Sequence, residues 1–102
     1  MKKTYLDKVD IEPEIKCEER VWVEYYVVCS QKSDEAYCPK KPYGIEVVKN
    51  QVIYGNIYKE TKRVENMFGD FVQARAVAEL LHRNSVTPIT VSNVLEDLYV
   101  NL

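Results

Sequence analysis

With 102 residues, 46% of them hydrophobic and 29% charged, the chain has material for one core and no room for a second domain, because folding at this length hides roughly 60–70% of the unfolded surface. It lacks the low hydrophobicity and high net charge that mark disorder. A formal charge of −2 and an isoelectric point of about 5.4 argue against wholesale binding of polynucleotides or anionic membranes, which depends on a surplus of Lys and Arg.

The N-terminus, Met1-Lys2-Lys3-Thr4-Tyr5-Leu6-Asp7, starts charged with no apolar run behind it, and no stretch approaches the ~20 apolar residues of a membrane span. A cytoplasmic location and no membrane association are the expectation. A short strand is predicted over about residues 4–11. Pro13 marks a break, and strand periodicity then runs over 14–30: Ile15, Cys17, Glu19, Val21, Val23, Tyr25, Val27 and Cys29 on the odd positions, Glu14, Lys16, Glu18, Arg20, Trp22, Glu24, Tyr26 and Val28 on the even ones. Such a period, rich in β-branched and aromatic residues, predicts a long strand with one apolar face.

Residues 31–42 carry Ser, Asp, Pro and Lys without periodicity and read as a surface loop holding Tyr37, Cys38, Lys40 and Lys41. Strands over 43–48 and 52–59 form a predicted hairpin across Lys49-Asn50-Gln51, with Gly44 and Gly55 as sites of a bulge or close backbone approach. After a polar segment the period changes. Phe71, Ala74, Val77, Ala78 and Leu81 predict an amphipathic helix over 70–84, with Asp70 as N-cap, Asn84 as stop, and His82 on or near the outer side. Pro88 bars its continuation, and a second helix is predicted over 91–100 from Thr90. Strands followed by helices give an α+β class: an antiparallel sheet of three or four strands with two C-terminal helices on one face.

Tyr43-Gly44-Ile45-Glu46-Val47, Ala78-Glu79-Leu80-Leu81-His82-Arg83-Asn84, Val86-Thr87-Pro88-Ile89 and Val94-Leu95-Glu96-Asp97 together resemble, over about residues 43–100, a family of small uncharacterised proteins of clostridia and other Firmicutes, a domain of unknown function. The resemblance implies a shared fold and supplies no activity.

No constellation predicts an enzyme. Three thiols and one imidazole would suit a tetrahedral zinc, but Cys17, Cys29 and Cys38 are twelve and nine positions apart with no Cys-x-x-Cys knuckle, so neither metal nor cofactor is expected. An odd set of three also reads as reduced thiols rather than disulfides. A cysteine-dependent enzyme would need Cys38, activated by Lys40 and Lys41, to meet His82, with nothing local joining them. Glu18-Glu19, Asp34-Glu35 and Glu96-Asp97 are adjacent pairs whose side chains diverge. A DNA-reading helix at 91–100 is disfavoured, since it has no Lys or Arg and carries Glu96 and Asp97.

Eight Tyr and one Trp in so short a chain need an explanation. If the helices cover the odd face of the long strand, Trp22 and Tyr26 lie on the other, where Tyr54 and Tyr58 from the last strand would join them in an aromatic interface. Cross-strand pairing explains the same composition, and the sequence leaves both open. The leading functional expectation is a non-enzymatic protein-interaction module, binding a protein partner or a second copy through that face or the 31–42 loop. A small inhibitor of phage or mobile-element type, acting on an enzyme or nucleoprotein, is a variant of it. An RNA-binding face near Lys59, Lys62 and Arg63 is the alternative from another class, though nucleic acid is disfavoured by the net charge.

Overall fold

A computed structural model describes residues 2–30 and 41–100. Four strands, β1 (Lys2–Ile11), β2 (Glu18–Cys29), β3 (Tyr43–Ile53) and β4 (Asn56–Phe68), precede two helices, α1 (Phe71–Arg83) and α2 (Val91–Val100). Every strand pairs antiparallel with the next, giving a meander in the order β1-β2-β3-β4. This is the α+β architecture expected from the order of periodicities.

The register decides which residues share a face. Val21, Val23, Tyr25 and Val27 of β2 sit opposite Gln51, Lys49, Val47 and Ile45 of β3, and directly paired residues point the same way. Val23, Tyr25, Val27, Ile45 and Val47 are buried beneath the helices, in one core with Ala74, Ala78 and Leu81 of α1 and Val91 and Leu95 of α2. Alanine at two successive inward positions of α1 lets the helix settle close to the pleat, while Leu81 fills the space beyond them. Tyr25 is wholly buried, and its hydroxyl donates to the Val86 carbonyl at 2.8 Å, tying the α1–α2 connection to the centre of the sheet. Asp70 caps α1 through the Gln73 amide, and Asn84 closes it with its backbone N–H on Leu80 and His82 carbonyls.

The structure moves three sequence-based boundaries. β2 begins at Glu18 and not at 14, because the Glu18 carboxylate accepts the amides of Glu14 and Ile15 at 3.0 and 3.3 Å while its own amide donates to the Ile15 carbonyl. That local ring is a turn, which takes Cys17 off the strand. The β3–β4 hairpin turns at Tyr54-Gly55, both with positive φ, 50° and 77°, and not at Lys49-Asn50-Gln51. Two consecutive left-handed residues are what a two-residue hairpin turn of matching twist needs. The polar segment after it continues as strand, since β4 lies at the sheet edge and is exposed on both faces along most of its length. Gly44 does mark a close approach. A Cβ there would lie 2.0 Å from the Val64 carbonyl oxygen, beside a register shift of β3 on β4.

Candidate functional site

Both helices lie on the face of odd β2 residues, so the even residues form a face that neither helix covers. Across it run Lys3, Tyr5, Lys8 and Asp10 of β1, Arg20, Trp22, Glu24 and Tyr26 of β2, Glu46, Val48 and Asn50 of β3, and Ile57, Lys59, Thr61 and Arg63 of β4. Trp22 and Tyr26, four residues apart on β2, stand half-buried on this face as the alternation predicts. Tyr5 packs edge-on against Tyr26, ring centres 5.5 Å apart. Lys3 Nζ lies 4.4 Å from the centre of the Tyr26 ring, and the Arg20 guanidinium 4.6 Å from that of Trp22, so each large ring carries a cation against its π surface.

Beneath this layer the polar groups satisfy one another. The Glu46 side chain, 2% exposed, receives Lys3 Nζ at 2.8 Å and Arg63 Nε and Nη2 at 2.9 and 2.6 Å. Burial alone would raise its pKa; the hydrogen bonds from Lys3 and Arg63 outweigh it and hold the carboxyl below its ordinary value. With one cation from β1 and one from β4, this contact links the two outer strands across the inner pair. Asn50 donates to Glu24 at 2.8 Å, and Glu24 also takes the Tyr26 hydroxyl, whose pKa is raised by burial and by that carboxylate. Asp10 sits between Lys8 and Arg20, 3.8 Å from each. Of these carboxylates Glu46 lies at the floor beneath Lys3, which is 45% exposed, whereas Asp10 is 67% exposed and stands as far out as Arg20 at 57%.

The remaining site residues expected from the sequence do not join this group. Tyr58 pairs with Gln51, opposite Val21, which puts it on the helix side, and Tyr54 occupies the hairpin turn; it is Ile57, not its neighbour Tyr58, that faces Trp22's side of the sheet. A two-residue turn at Tyr54-Gly55 in place of the expected three-residue turn reverses the parity of everything after it. Lys41 is exposed beside Pro42, whose carbonyl accepts the Ser30 amide at 2.9 Å; Tyr37, Cys38 and Lys40 lie outside the described residues. Tyr5, Arg20, Glu46 and Asn50 were not singled out by the sequence reading, although Glu46 and Asn50 interrupt an otherwise apolar even register of β3, which is a usable signal for a polar floor.

His82 faces inward rather than outward. Its Nε2–H donates to the Lys8 carbonyl at 2.9 Å, its ring stands edge-on to Tyr25 at 5.6 Å, and Asp7 lies 3.7 Å away, so it docks α1 on β1. Cys17 and Cys29 are half-buried free thiols. Cys29 lines a cleft of about 230 Å3 with Val27, Tyr43 and Phe71 at one end of the helix side. A second cleft of the same size at the other end is bordered by Glu12, Glu14 and Glu18; the Glu18 carboxyl is held low first by its hydrogen bond from Gln51, at 2.6 Å. No group of His, Cys, Asp and Glu among the described residues is arranged to hold a metal ion, and among them no helix is long and apolar enough to cross a membrane.

Compared with known proteins, residues 3–101 match a family described as "Family of unknown function (DUF6514)", a match that runs through β1 and β2 as well as the C-terminal portion. No curated protein and no solved structure matches the chain.

Proposed function

The chain belongs to DUF6514, a family of unknown function, and from that premise we propose that it is a non-enzymatic docking module whose open sheet face receives a protein partner. One observation carries this: Trp22, Tyr26 and Tyr5 stand on the sheet face opposite both helices, Tyr5 edge-on against Tyr26, where large amphipathic rings offer contact area at small entropic cost. The more buried carboxylates around them support binding rather than turnover, since Glu46 and Glu24 are each engaged by neighbours. Free thiols at Cys17 and Cys29 fit a reducing, cytoplasmic setting.

The test is Trp22→Ala beside wild type. Circular dichroism should show both folded, and affinity capture followed by titration of the captured protein should show binding only to wild type. A folded Trp22→Ala variant that binds the same protein equally well would sink the reading.

A further inference from the structure

We draw no further inference here: the strongest candidate, the ring patch of Tyr5, Trp22 and Tyr26 on the open sheet face, belongs to the site already described, and nothing in the structure shows which kind of partner covers it.

Discussion

The Tyr25 hydroxyl gives the sharpest test of how the helices are held to their side of the sheet. Its side chain is fully buried, and burial pushes its pKa from 10.0 up to about 12. Folding therefore favours the protonated phenol. The stabilisation this represents is complete below pH 10 and is lost as pH rises through 10 towards 12, because the unfolded chain ionises first. At pH 11 an unfolded tyrosine is about nine-tenths ionised while Tyr25 is about one-tenth, so roughly 1.4 kcal/mol has gone. Tyr25→Phe removes the titration and also the bond to Val86, leaving a buried carbonyl unpaired at a cost of about 1–2 kcal/mol. Urea unfolding of both proteins at pH 8 and at pH 11 should then show wild type ahead by about 1–2 kcal/mol at pH 8 and by roughly 1.4 kcal/mol less at pH 11. Background ionisation of lysines is common to the two proteins and cancels in the difference. A stability gap that stays constant between the two pH values would refute the buried, protonated Tyr25 that pins the α1–α2 connection.

Leu81→Ala should cost about 2–4 kcal/mol in the same assay, since Leu81 is wholly buried and its removal leaves a cavity that the sheet cannot follow; a loss below about 1 kcal/mol would mean the helix repacks. Gly44→Ala should destabilise by roughly 1–3 kcal/mol, because the new Cβ meets the Val64 carbonyl at 2.0 Å and β3 and β4 must separate. Hydrogen exchange should accelerate around Val64, and unchanged exchange and stability would contradict the close approach. For Glu46 the folded pKa lies below its ordinary 4.5, so its contribution is present above that value and disappears as pH falls through the lower, folded pKa. Glu46→Gln should flatten the acid limb of the stability curve relative to wild type, and acid limbs of equal slope would show that the Lys3–Glu46–Arg63 contact contributes nothing.

How much of this was legible in the sequence depended on whether a residue's neighbours lay nearby in the chain. Alternation in 21–28 identified β2 and its apolar face, and the three-and-four spacing from Phe71 to Leu81 identified α1, because both patterns are set by local geometry and one-sided burial. Edge strand β4 escaped its full length, since a strand wet on both faces has no reason to alternate. The hairpin turn was placed too early because Asn50, which read as a turn residue, is buried through its bond to Glu24 from the neighbouring strand, a partner no local pattern reveals. That displacement carried Tyr58 to the wrong face. His82 read as outward because its partner, the Lys8 carbonyl, is 74 residues away. Trp22 and Tyr26 were found because the face opposite an apolar strand register is itself a local property, whereas Glu46 as the hub of two cations required the whole sheet order.

A four-stranded meander has two unpaired edges as well as an open face, and the residues on β4 bear on which of them a partner would use. An added strand would need to lie along Asn56–Phe68, where Glu60 and Lys62 alternate with Lys59, Thr61 and Arg63 on the two sides. Glu60 and Lys62 sit on the helix side, beside Lys49 and the buried Val47 respectively, and charges turned toward the core side of an edge strand are a known means of discouraging edge-to-edge pairing. On β1, the register shift between Tyr5 and Asp7 and the His82 bond to the Lys8 carbonyl interrupt the other edge. With β4 charged and β1 interrupted, neither edge offers a clean template. The broad side of the sheet differs from both edges in offering Trp22, Tyr26 and Tyr5 as ring surface, with Glu46 buried beneath Lys3 and Arg63.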